Sequence, residues 1–308
     1  MIWELKFIES LQAGASSFAI NFWSFISFFG EELIMIAVIG FVYWCYNKKF
    51  GESLAYTVLT SMTLNGILKN IIVRDRPYLR DGYNIKDLKS LADTSYSFPS
   101  GHSQASATFF TAIAINMKPT TAAEPLEKFF SKVCQWLKRW WPLLVAVIIP
   151  LMVAFSRIFL GMHFPTDVFA GLAIGVAMAF LCSFLYNRIK NKYILFGITI
   201  LVLCCGLFFA NTKDYFVSFG MLFGCMAGII FENNVVNFDY NVAWWKKLIR
   251  FIGGIALIMG IRFGLGALFG LISDDESTLT YVLDMLRYAI MTFSAMGLYP
   301  LLFKACKF

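Results

Sequence analysis

Long apolar runs separated by short polar clusters recur along the whole chain. About twenty consecutive apolar residues are enough for a helix to cross the hydrocarbon core of a bilayer, and runs near that length repeat from residue 18 to residue 303. The pattern predicts about nine helical spans, over residues 18–46, 53–73, 100–117, 142–155, 165–186, 193–210, 215–231, 248–272 and 281–303. In the first of these the apolar run is broken by Gly30, Glu31 and Glu32. Two carboxylates at the edge of a span are costly in lipid and point to a polar cavity. Residues 1–17 read as an amphipathic helix at the interface, with Trp3, Phe7 and Leu11 on one side and Glu4 and Glu9 toward water. A second interfacial helix is expected over 118–141, where Lys128, Lys132, Lys138 and Arg139 alternate with apolar positions ahead of Trp140 and Trp141. Residues 74–99 are polar and read as an extramembrane loop.

Composition turns this pattern into a class. Of the 308 residues 59% are hydrophobic and only 15% charged, against roughly 25% charged in soluble domains. The reading is an all-α, polytopic integral membrane protein in three parts: an interfacial helix over 1–17, a membrane core over 18–192 and additional C-terminal transmembrane helices over 193–308. The start of the chain shows no signal-peptide cleavage pattern. The seven cysteines are scattered through apolar stretches, which excludes a disulfide framework, and with two histidines and no C-x-x-C pair a structural zinc site is not expected. Basic residues sit in separate short loops, so no nucleic-acid partner is expected. Threading the chain through nine spans collects most lysines and arginines on one side, among them Lys48, Lys49, Arg188, Lys190, Lys192, Lys246, Lys247 and Arg250. The other side holds the acidic loop Asp274, Asp275 and Glu276. The positive-inside rule makes the first side cytoplasmic, with the N-terminus outside and the C-terminus inside.

Three polar stretches fall on the outer side. The segment SRIFLGMHFPTD, residues 156–167, gathers Ser156, Arg157, His163 and Asp167 in an otherwise apolar region. His163 and Asp167 are four apart, and Pro165 suits the first turn of a helix that starts there. A carboxylate so placed can fix an imidazole's tautomer and leave its other nitrogen free to attack. Arg157 offers a planar fork of donors suited to phosphate oxygens. The segment KNIIVRDRP, residues 69–77, carries Lys69 and Arg76 seven apart, so that both face one way if the helix persists. The segment PSGH, residues 99–102, opens an apolar helix, with Ser100 as its expected N-cap, Gly101 allowing close backbone approach, and His102 next. Free N–H groups at that helix start favour an anion. Together the stretches describe a phosphate pocket with an acid and a base.

These stretches resemble the tripartite signature of the type 2 phosphatidic acid phosphatase family: Lys, six residues, Arg-Pro; Pro-Ser-Gly-His; and Ser-Arg, five residues, His, three residues, Asp. Every position is filled, by Lys69, Arg76, Pro77, Pro99, Ser100, Gly101, His102, Ser156, Arg157, His163 and Asp167. The run GEELIMIAVIGFVYWCYNKKFG and the SMTLNGILK before Lys69 are similar to the sphingosine-phosphate phosphatase branch and its bacterial relatives. The resemblance implies a six-helix phosphatase core, beyond which the last four spans lie. It also implies roles: His163 attacks phosphorus to form a phosphohistidine while Asp167 holds its ring. Lys69, Arg76, Ser100, Gly101 and Arg157 bind the phosphate oxygens, and His102 protonates the leaving oxygen and then activates water. The first role of His102 needs the imidazolium and the second the neutral ring, which implies a bell-shaped pH dependence. No metal or other cofactor is expected, since three fixed cations can stabilise the charge and the carboxylate cluster for magnesium is absent. The expected substrate is a lipid phosphate monoester or an isoprenoid diphosphate of the cell membrane, reached from the extracytoplasmic side. Rival readings are a lipid phosphotransferase that uses the same phosphohistidine, a phosphatase of soluble sugar phosphates, and a non-catalytic transporter or receptor.

Overall fold

The computed structural model describes residues 2–89, 95–117, 129–273 and 277–306, with the side chains of 129–139 excepted. The first part of the interfacial helix expected over 118–141, residues 118–128, and the acidic loop over 274–276 lie outside the described residues. The regular elements of the described residues are all helical: α1 (Ile2–Gln12), α2 (Ser17–Phe28), α3 (Glu32–Phe41), α4 (Lys48–Ile72), α5 (Gly101–Asn116), α6 (Phe129–Phe159), α7 (Pro165–Arg188), α8 (Lys192–Leu203), α9 (Lys213–Phe231), α10 (Trp244–Gly270), α11 (Thr278–Phe293) and α12 (Tyr299–Ala305).

About nine membrane spans were expected, and the structure supports fewer. Among the described residues five helices are long and apolar enough to cross a bilayer, within α6, α7, α9, α10 and the α11–α12 pair; α2 and α3, bent by 41° at Gly30–Glu31, make a sixth if they form one span. Helices α4, α5 and α8 fall short of that measure. The sequence of α4 explains why: Ser53, Thr57, Thr60, Ser61, Thr63 and Asn65 are all buried in its middle. A helix enclosed by other helices needs no apolar perimeter. Toward its C-terminal half it bonds to α5, where Asn65 donates to Gln104 Oε1 at 2.8 Å and Gln104 donates to Ser61 O at 2.7 Å, while the Ser53, Thr57 and Thr60 hydroxyls are buried without a hydrogen-bond partner among the described residues.

Two further expectations change. Helix α1 faces the other way: Trp3 and Phe7 are exposed, whereas Glu4 is buried, taking hydrogen bonds from the Thr166 hydroxyl at 2.7 Å and from Arg74 at 3.2 Å. Charge-assisted hydrogen bonds of this kind offset the hydration the buried carboxylate gives up. The stretch 129–159 is one helix despite Pro142 and Pro150, so residues 129–141 are not a separate interfacial element.

Helices α4 to α7 pack as one group, and α9 joins it to α11, which in turn packs against α10. Small residues set the distances. A side chain at Gly171 or Gly175 of α7 would stand 2.7 or 2.5 Å from the carbonyls of Ser100 and Gln104 on α5. The far end is locked by wide π-helical turns, where Tyr43 donates to Met296 O at 2.9 Å and Trp44 to Ala295 O at 3.1 Å. Such turns leave carbonyls without helical partners, and here the two rings supply them.

Candidate active site

Hydrogen bonds to backbone carbonyls tie the three polar stretches together. Ser97 N donates to Arg74 O at 2.7 Å, Ser100 N donates to Asp167 O at 3.0 Å, and Arg76 Nη1 donates to Met162 O at 3.2 Å. Segments far apart in sequence thus meet at one end of the bundle. Gly161, at φ +76°, turns the chain between α6 and α7 so closely under Lys86 O that a Cβ would sit 2.4 Å from that carbonyl.

Helix α4 does not continue to Arg76. It ends at Ile72 with Val73 in the left-handed region at φ 47°. The two cations converge all the same, because both bind Ser95: Lys69 Nζ reaches its hydroxyl at 2.9 Å, and Arg76 reaches its carbonyl through Nε at 2.9 Å and its hydroxyl through Nη2 at 3.0 Å. Lys69 also pairs with Asp214 of α9 at 2.7 Å.

His163 precedes α7 rather than sharing a helical face with Asp167, which sits in that helix's first turn. The carboxylate stands at ion-pair distance from the ring and does not hydrogen-bond to it. His163 Nδ1 lies 3.8 Å from Asp167 Oδ2 but 2.8 Å from Ser97 O. A carbonyl only accepts, so in the neutral ring the proton is on Nδ1 and Nε2 keeps its lone pair. Asp167 instead accepts from the Ser97 hydroxyl at 2.5 Å, Arg74 Nη1 at 2.6 Å and Phe164 N at 2.9 Å. It holds the loop that holds the ring.

Lys69, Arg76, Gly101, His102 and His163 line one cavity of about 310 Å³. Asp167, Ser100 and Arg157 stand behind its wall. Ser100 occupies the N-cap position of α5 without capping it, and its oxygen accepts from the Ser103 hydroxyl at 2.9 Å. Arg157, in the last turn of α6, is buried with Nη1 on the Ser27 hydroxyl at 2.9 Å, near enough for its charge to act on the His102 ring. Ser156 bonds only back to Val153 O among its described contacts.

Several residues at the site carried no motif. Arg74, Ser95, Ser97 and Asp214 hold the candidate groups, while Lys89 and Glu31 pair at 2.6 Å on the cavity wall beside Glu32. The carboxylates at the break in the first span were the one advance signal of this wall.

The PAP2 superfamily profile matches residues 50–191, and that of the PAP2 superfamily phosphatase transmembrane extension matches 216–308. The chain is 32% identical over 161 residues to phosphatidylglycerophosphatase B of Bacillus subtilis (strain 168), covering 52% of this chain and 70% of that protein. The chain belongs to the PAP2 superfamily. Among its relatives are an undecaprenyl-diphosphatase of Sulfolobus acidocaldarius, 25% identical over 51% of this chain and 66% of its own length. Another is the dihydrosphingosine 1-phosphate phosphatase YSR3 of Saccharomyces cerevisiae, 25% identical over 60% of this chain and 43% of its own length. A crystal structure of a transmembrane PAP2 type phosphatidylglycerolphosphate phosphatase from Bacillus subtilis is 24% identical, covers 61% of this chain and 86% of that one, and superposes with a TM-score of 0.47. Membership places the PAP2 chain among the phosphoric ester hydrolases of the membrane.

Proposed function

We propose that this PAP2 protein removes phosphate from a lipid phosphate monoester or an isoprenoid diphosphate through a phosphohistidine on His163, in a cavity open to the extracytoplasmic side. The observation that carries the reading is the 2.8 Å contact of His163 Nδ1 with Ser97 O, which leaves Nε2 the free nitrogen, in a cavity that also holds His102, Lys69 and Arg76. Nε2 of His163 forms a bond to phosphorus as the bond from phosphorus to the ester oxygen breaks. His102 gives that oxygen its proton. A water then attacks phosphorus, passes its proton to His102, and the phosphorus–nitrogen bond breaks to free phosphate. Lys69 and Arg76, already oriented by Ser95, carry the charge of the equatorial oxygens with the Gly101 end of α5, and Arg157 adds positive charge from behind the wall. Asp167 serves as a positioning residue through Ser97 and Arg74.

The test is phosphate release from lipid phosphates, isoprenoid diphosphates and soluble sugar phosphates, with His163→Ala protein as the blank. The proposal expects turnover on an amphiphile and none in the blank. Turnover confined to sugar phosphates, or equal in the blank, overturns it.

A further inference from the structure

The candidate cavity does not end at its charged groups. Below Lys69 and Arg76 it continues between α3, α4 and α9, where Ile36, Ile39, Leu59, Met62 and Met221 form its wall. Four of these, Ile36, Ile39, Leu59 and Met221, also line a second void of about 60 Å³ deeper in the bundle. Trp44, Cys225, Ile258, Met291 and Met296 complete its lining, so most of its floor comes from helices C-terminal to the phosphatase core. Its two polar side-chain groups are already satisfied: Trp44 Nε1 donates to Ala295 O, and the Thr292 hydroxyl donates to Met221 O at 3.0 Å. Nothing there offers water a partner, and an apolar void of this kind stays dry or takes an apolar ligand.

Length fits a hydrocarbon chain. Lys69 and Ala55, which line the two ends, are both on α4, fourteen residues apart. At 1.5 Å per residue the descent is about 21 Å, more than the roughly 15 Å half-thickness of a bilayer's hydrocarbon core. The extension also sends polar residues to the upper part, where Asp214 grips Lys69 and Arg262 of α10 lines the wall with Glu32.

We propose that the C-terminal extension, with α3 and α4, forms the binding site for one hydrocarbon chain of the substrate, threaded lengthwise from the phosphate site to the Cys225–Met291 floor. This rests on the lipid-phosphatase reading above. The extension then sets chain length, and the chain enters the bundle interior instead of lying against the outer face of α7.

Two measurements test it. Phosphate release is compared for alkyl phosphates of about sixteen and about eight carbons, in the unaltered protein and in Cys225→Leu, which narrows the floor. The ratio of kcat/KM for long over short chain is expected to fall about tenfold, the equivalent of roughly two methylenes lost from apolar contact. An unchanged ratio overturns the proposal. Independently of turnover or of that variant's folding, an alkyl phosphate bearing a diazirine at its chain terminus is photolysed on the His163→Ala protein. Adducts are expected on Cys225, Ile258, Met291 or Met296; adducts confined to the outward-facing Phe169, Phe180 and Phe184, or absent from the extension, overturn it. If no substrate yields phosphate while the adducts fall on the floor, the phosphatase reading fails and the chain site stands.

Discussion

His163 is held by a backbone carbonyl, and this decides what its neighbours do. Because Ser97 O accepts the hydrogen bond from Nδ1, the proposed nucleophile depends on the position of a loop, and Asp167 contributes by fixing that loop. His163→Ala is expected to abolish phosphate release while leaving the melting curve in detergent close to that of the unaltered protein; substantial residual turnover would refute the nucleophile. His102→Ala should lose less with good leaving groups than with poor ones, since only the poor ones need protonation. Equal loss across a leaving-group series counts against the acid role. Asp167→Ala leaves the buried Ser97 hydroxyl, Phe164 N–H and part of the Arg74 charge without an acceptor, and should cost about 3 kcal/mol of stability by thermal or denaturant unfolding. The side chains of the three motifs were legible in the sequence, because charged and imidazole groups stand out in an apolar chain, whereas Ser95 and Asp214, which orient Lys69, belong to no motif. Ser97 O was not legible, since every residue carries such a carbonyl.

At the scale of elements, the site exists because helix starts and ends are brought together. Helix α4 supplies Lys69 from its last turn, α6 supplies Arg157 from its last turn, and α5 and α7 begin beside each other. The close approach of α7 to α5 depends on Gly171 and Gly175. Gly171→Val should push the Ser100–His102 segment off α7, costing about 1–3 kcal/mol through overpacking and lowering phosphate release more than the stability loss alone explains; normal turnover in a folded Gly171→Val protein would show that this contact does not position the segment. Apolar periodicity located most helices within a few residues. It misread α1, because the same alternation suits a helix with its apolar side to lipid or to protein, and Glu4 settles that choice only through the distant Arg74 and Thr166. It also divided α6 at Pro142, where the helix continues unbroken.

For the whole molecule, the proposed sidedness rests on charge bias. Part of that bias is now accounted for inside the protein: Lys48 is buried against Glu232, and Arg250 is buried with Nη1 on Asp239 O at 2.7 Å. Asp81 is exposed on the loop beside the site and Cys306 is exposed after α12 at the opposite end. In intact cells a membrane-impermeant maleimide should label the Asp81→Cys protein at the new position and reach Cys306 only after permeabilisation; the reverse pattern would place the site in the cytoplasm. Because fixed cations are proposed to carry the transition-state charge, EDTA should leave the rate unchanged, and a rate restored only by added magnesium would contradict that pocket. The amino-acid sequence alone determined the membrane class, the family signature and the chemical groups, since these follow from composition and residue type. Only the tertiary structure decided that Ser97 and not Asp167 holds the ring, that α4 is enclosed by protein, and that residues after the phosphatase core wall the same cavity. Those facts depend on distances between segments remote along the chain, which no local pattern encodes.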